Sequence, residues 1–199
     1  MKVALLNLKG GTGKTTSAVF LASGLNQDGD TLLVDADPQG SALSWDEAAG
    51  GFDFSTVALP VRDLHRRLPQ LARGYKHLVI DTPPGDAAIV RSALMAAELA
   101  VLPIPPSVMD LDRLVPTLEL LAEVEPLNPV RVLVLLTRVR KNTRSARAAR
   151  EVLAELGLPV MDTEIPLRET YANAFGLPVE RLHEYEYVAR EVLGLEVPR

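Results

Sequence analysis

Cysteine is absent from the 199 residues, which excludes disulfides, iron–sulfur clusters and thiolate metal sites. Histidine is scarce: three scattered copies do not make an imidazole zinc centre. Long apolar runs are missing as well. The best stretch, residues 93–104, is broken by Glu98 and Pro103 and falls short of a bilayer span. The opening Met-Lys-Val-Ala-Leu-Leu stops at Asn7 and Lys9, too early for the apolar region of a signal peptide. A basic excess is lacking too, since 21 Lys and Arg against 26 Asp and Glu give a net charge of −5. That excludes a surface basic all over but leaves room for a local basic patch. The expectation is a cytoplasmic protein folding as one domain over residues 1–199.

Against these absences stands one dense motif. Residues 9–16 read Lys-Gly-Gly-Thr-Gly-Lys-Thr-Thr. Gly10, Gly11 and Gly13 free the backbone to curl with its N–H groups inward, and Thr12 sits among them. Lys14 adds a point charge, and Thr15 and Thr16 add hydroxyls. Such a loop suits a polyphosphate and its Mg²⁺. Leu8 stands where the strict phosphate-loop pattern has its first glycine, so the match is to the variant KGGxGK[ST]T. Lys9 has no task in an ordinary phosphate loop, which points to a separate job. The context agrees. An apolar run precedes the loop, and Ala18, Leu21, Ala22 and Leu25 follow at helical spacing, so a helix N-terminus is aimed at the anion.

Further along, short apolar runs alternate with helical patterns. Strands are expected at Val3–Leu8, Thr31–Asp35, Phe54–Ala58, His77–Asp81, Ala100–Ile104, Arg131–Thr137 and a short piece near Val160–Ile165. Helices are expected near 14–27, 39–48, 61–73, 86–97, 110–124, 142–156 and 178–193. This alternation predicts an α/β fold: a mostly parallel twisted sheet with helices on both faces.

Ligands of such sheets gather at the carboxyl ends of the strands. Asp35 and Asp37 end the second strand in Asp-Ala-Asp-Pro-Gln-Gly, and Asp81 ends the fourth in Asp-Thr-Pro-Pro-Gly. A carboxylate there can hold Mg²⁺, orient an attacking water or cap the next helix.

These three motifs, in this order and spacing, resemble the ParA/MinD family of deviant Walker ATPases, and most of all the small ParA-type partition ATPases that lack an N-terminal helix-turn-helix. The likeness covers nearly the whole chain and implies a P-loop NTPase fold and an ATP- and Mg²⁺-dependent ATPase. By resemblance Lys14 binds the β- and γ-phosphates, Thr15 ligates Mg²⁺ and Thr16 touches the α-phosphate. Asp81 holds Mg²⁺ through water, with Asp35 as a second candidate, and Asp37 positions the hydrolytic water. Thr137-Arg138 and Pro166-Leu167 match segments flanking the adenine. The run from Pro103 to Asp112 matches a proline-rich stretch at the family's dimer interface. Lys9 would cross to the nucleotide of a second copy in a sandwich homodimer. Two facing ATP molecules bring together about eight negative charges, which a lysine from each side would partly neutralise.

The resemblance also implies nonspecific DNA and a ParB-like or centromere-binding protein as partners, with the ATP form on the nucleoid. Residues 126–150 hold seven Arg or Lys and no Asp or Glu. Arg140, Lys141, Arg144, Arg147 and Arg150 gather about one predicted helix, whose apolar stripe is Ala149, Val152, Leu153 and Leu156. This is either a solvated face or a phosphate-tracking patch without base readout, since the stretch has no aromatics. The main reading is plasmid or chromosome partition. The alternatives are an ATP-dependent positioning protein for a protein cargo and a MinD-like membrane-cycling ATPase. The acidic C-terminal run from Glu184 disfavours anionic lipid, and its Val188, Val192, Leu193 and Leu195 are expected in the core.

Overall fold

The computed structural model describes residues 1–140 and 143–197. Six strands, β1 (Lys2–Leu5), β2 (Thr31–Asp35), β3 (Ser55–Ala58), β4 (His77–Asp81), β5 (Leu99–Ile104) and β6 (Arg131–Leu136), form one parallel sheet in the order β3-β2-β4-β1-β5-β6. The central strands are apolar at successive positions because both faces are covered. Along β1 and the residue after it, Ala4 and Leu6 face one core cluster while Val3 and Leu5 face the other. In β5, Ala100, Leu102 and Ile104 alternate in the same way with Leu99 and Val101.

Helices α1 (Lys14–Asn26), α2 (Ser41–Ala48) and α9 (Glu184–Leu193) cover one face. Helices α3 (Leu64–Leu71), α4 (Ala87–Leu94), α6 (Val115–Val124) and α7 (Arg144–Glu155) cover the other. Two short helices, α5 (Val108–Asp112) and α8 (Glu169–Ala172), lie in connections. Helix α9 docks on α1, where a Cβ at Gly24 would fall 2.9 Å from the Ala189 Cβ. Glycine is what lets the two helices approach.

The parallel α/β sheet stands as expected, and the differences have local causes. β1 ends at Leu5, where the chain leaves the sheet for the loop. The helix expected over 110–124 is two, because Pro116 near the start of α6 has no N–H for a carbonyl one turn earlier. The strand expected near Val160–Ile165 is reduced to single parallel bridges, Val134 to Val160 and Val139 to Pro166. The last helix starts at Glu184 rather than 178. Val188 and Val192 in it are fully buried, but Leu193 is only half-buried and Leu195, beyond the helix end, is exposed.

The topology sets the site. β1 lies between β4 and β5, and the chain leaves it toward β2 on one side and returns to β5 on the other. Leu5, Asp81 and Asp35 are register partners across three adjacent strands. Two acidic strand ends therefore lie side by side on the β4 side of the loop that follows β1, at the crevice where ligands of open α/β sheets bind.

Candidate nucleotide-binding site

Gly11 and Gly13 take φ values of +74° and +96°, a backbone that L side chains avoid. Gly13 thereby caps α1, with its carbonyl accepting from Ser17 N–H at 2.8 Å. The loop is braced from several directions. The Asn7 amide donates to the Pro103 carbonyl at 3.0 Å, and its side-chain oxygen accepts from Lys9 N–H at 3.0 Å. The Thr137 hydroxyl donates to the Thr12 carbonyl at 2.9 Å. Lys14 lies buried in the curl, its ammonium donating to the Lys9 carbonyl at 3.0 Å. Burial lowers its pKa, while Asp81 and Asp37 pull the other way. Thr15 and Thr16 sit half-buried in the first turn of α1.

Asp81 is fully buried, and neither carboxylate oxygen has a hydrogen-bond partner among the described residues. Burial pushes its carboxyl up to about 7; the Thr15 hydroxyl and then the Lys14 ammonium counteract, while Asp35 and Asp37 add to the rise. Thr15 faces this carboxylate but lies outside hydrogen-bonding geometry. A buried acid left without donors beside a hydroxyl and a lysine fits Mg²⁺ held directly or through water.

Asp35 has a different task. One carboxylate oxygen accepts from Ala42 N–H at 2.8 Å and Leu43 N–H at 3.0 Å, and the other from Asp37 N–H at 3.1 Å. It caps the first turn of α2 and fixes the turn that carries Asp37. Burial raises its pKa, against those three donors. Asp37 is half-buried and accepts from Gln39 N–H at 2.9 Å.

Beside the loop lies a cavity of about 170 Å³ lined by Gly13, Thr16, Thr137, Arg138, Pro166 and Leu167. All six are residues predicted to touch nucleotide. The bridge from Val139 to Pro166, with Leu167 N–H donating to the Val139 carbonyl at 2.9 Å, draws the two predicted segments together. Arg138 turns the chain into the cavity with φ of +52°.

The sequence of residues 3–179 matches the CobQ/CobB/MinD/ParA nucleotide binding domain family. The chain belongs to this family. It is 41% identical over 179 residues to the maintenance of carboxysome distribution protein A of Gloeobacter kilaueensis, covering 86% of this chain and 79% of that one. It is 31% identical to the chromosome-partitioning ATPase Soj of Thermus thermophilus, covering 97% and 95%. Its fold overlays an ATP complex of Cyanothece McdA with a TM-score of 0.81 at 20% identity, over 100% and 98% of the two chains.

Sequence reasoning misses part of this ParA/MinD-type site. Ile165, Arg168, Tyr171, Ala172 and Tyr185 also line the cavity. Tyr171 lies in what reads as an irregular connection, and Tyr185 falls within the helix expected over 178–193. The Tyr185 hydroxyl is 2.8 Å from the Ser17 hydroxyl, and that of Tyr171 donates to Glu184 at 2.6 Å. Burial raises both phenol pKa values. Asp110 is a further site residue: it falls in the Pro103–Asp112 run, but nothing local signals its pairing with Lys9. Its carboxylate, joined to the Ser107 hydroxyl, forms an ion pair with Lys9 within the same chain. Lys9 thus lies at the mouth of the loop, held by α5.

Arg140, Arg144 and Arg147 are exposed. Arg150 does not belong with them: it pairs with Glu164 at 2.7 Å and donates to the Met161 and Asp162 carbonyls. Lys141 lies outside the described residues. The buried stripe of α7 is Ala146, Ala149 and Leu153; Ala149 and Leu153 are as expected, whereas Ala146 joins them and Val152 and Leu156 face solvent. No helix among the described residues is long and apolar enough to cross a membrane.

Proposed function

We propose that this chain is a Mg²⁺-dependent ATPase that dimerises on ATP and, in that state, holds nonspecific DNA and distributes a protein cargo along it. The observation that carries the cargo reading is the 41% identity to a carboxysome-distribution protein, against 31% to Soj. It favours the alternative expected from sequence over the main one.

The chemistry follows from the residues. Lys14 and the loop N–H groups cradle the triphosphate, while Thr16 meets the α-phosphate and the 137–138 and 166–167 segments flank the base. Mg²⁺, held by Thr15 and Asp81, would screen charge at the β- and γ-phosphates. Asp37 orients the attacking water, and its position depends on the Asp35 cap. Lys9 leaves Asp110 to meet the triphosphate of a second copy, so ATP joins the dimer and hydrolysis releases it. Lys9→Ala should bind nucleotide as a monomer yet fail to dimerise on ATP, as read by light scattering. Unchanged dimerisation would count against this role.

Partition of a plasmid or chromosome with a ParB-like or centromere-binding partner is the second reading. The Soj alignment over 97% of the chain favours it. The two separate in cells. Deleting the gene should cluster the cargo bodies while DNA segregates normally. DNA loss with evenly spread cargo would favour partition instead.

A further inference from the structure

The chain has a single tryptophan, Trp45, and it is 2% exposed. It lies on α2, whose other buried residue is the small Ala42, so one indole is the main anchor of this two-turn helix. The indole Nε1–H donates to the Leu177 carbonyl at 2.9 Å, 132 residues away in sequence. Leu177 belongs to the connection after α8, and α8 supplies Tyr171 and Ala172 to the base cavity. The ring also packs against Phe20, with centroids 6.3 Å apart, and against Phe175 at 5.8 Å. Phe20 in turn meets Tyr171 at 5.3 Å and Tyr185 at 5.1 Å, the two aromatic residues of that cavity. An unbroken aromatic path therefore runs from the base cavity to α2.

The other end of α2 is tied to catalysis. Asp35 fastens its first turn through Ala42 and Leu43. Asp37 occupies the short turn between that carboxylate and Gly40, whose N–H donates to the Asp37 carbonyl at 2.9 Å. A shift of the helix moves this turn with it.

We infer that Trp45 is a positioning residue: through its bond to Leu177 and its packing on Phe20, it couples occupancy of the base cavity to the placement of Asp37. The inference rests on the proposed role of Asp37 in orienting water. It makes the base, and not only the triphosphate, part of what readies the chain for hydrolysis, because packed aromatic contacts pass on small displacements.

Two measurements test it. In the wild-type chain all tryptophan emission comes from Trp45. Mg²⁺ with the slowly hydrolysed analogue AMPPNP should shift that emission, whereas Mg²⁺ with inorganic triphosphate, which fills the loop but has no base, should leave it unchanged. Trp45→Phe keeps an aromatic ring but loses the donor. It should bind nucleotide within about twofold of wild type by calorimetry while kcat falls about tenfold with KM unchanged. An equal shift with triphosphate, no shift with bound AMPPNP, or a Trp45→Phe chain that melts earlier yet keeps its kcat would each overturn the inference. A wild-type chain that binds no ATP in calorimetry would instead overturn the ATPase reading, and this inference with it.

Discussion

Three buried polar side chains in the site differ in what satisfies them, and the differences predict behaviour. Asp35 has three backbone donors; Asp81 has none, and its carboxyl is pushed up to about 7 from 3.8. The folded, metal-free protein therefore keeps the Asp81 proton where the unfolded chain releases it. Its contribution to stability is full below about pH 4 and is lost as pH rises toward 7. Asp81→Asn, which does not titrate, should gain on wild type over that window and hold its advantage above it. Urea melts without Mg²⁺ at pH 5 and pH 8 would show the gap widening at the higher pH. The same variant should lose the Mg²⁺ dependence of nucleotide binding. Thr12 is the third case, a buried hydroxyl with no partner, whose desolvation is uncompensated. Thr12→Val keeps the shape and removes the orphan, so it should stabilise the fold by about 1 kcal/mol in denaturant titrations. At this scale the loop and the strand-end acids are legible in sequence because each needs a special residue type at fixed spacing. The pairing of Asp110 is not legible: it meets Lys9 across 101 positions, and no local pattern encodes that.

Among the elements, the strands are readable from apolar runs that alternate between two covered faces. Helix boundaries are less so, since they depend on where caps and prolines fall. Periodicity finds Ala149 and Leu153 on the buried side of α7 but misorients the helix slightly, because Val152 and Leu156 are apolar yet exposed while small Ala146 makes contact. This rotation separates the arginines by role. Arg144→Glu and Arg147→Glu should weaken DNA binding and reduce its salt dependence, with melting temperature unchanged. Arg150→Ala should lower the melting temperature through loss of the Glu164 pair and two carbonyl bonds, leaving the salt slope intact. The contact of α1 with α9 makes a second case. Gly24→Ala improves helix propensity but meets Ala189, so it should destabilise by roughly 1–3 kcal/mol. Adding Ala189→Gly should recover part of the loss, measurable as a double-mutant cycle.

For the molecule as a whole, the ParA/MinD-type architecture follows from three motifs and one alternation. The choice between DNA and a protein assembly as cargo does not, because the nucleotide site is common to both uses and the cargo-reading surface has no fixed motif. An acidic chain with exposed arginines gathered near one end of α7 suits weak, ATP-gated contact with DNA, doubled when two copies join. The C-terminal helix carries three glutamates off its buried face, Glu186 exposed and Glu184 and Glu191 half-buried, and its valines in the core, so sedimentation with anionic vesicles should leave the chain in the supernatant with or without ATP.

The strand order has a consequence for biogenesis. The first of the six strands to leave the ribosome is flanked by the fourth and fifth, so its edges stay unzipped until both of those have been made. The helix behind it waits longer still, for α9. A nascent chain of this kind carries sticky, unpaired segments through much of its synthesis, and the cavity beside its phosphate loop stays open until the late segments that wall it have emerged.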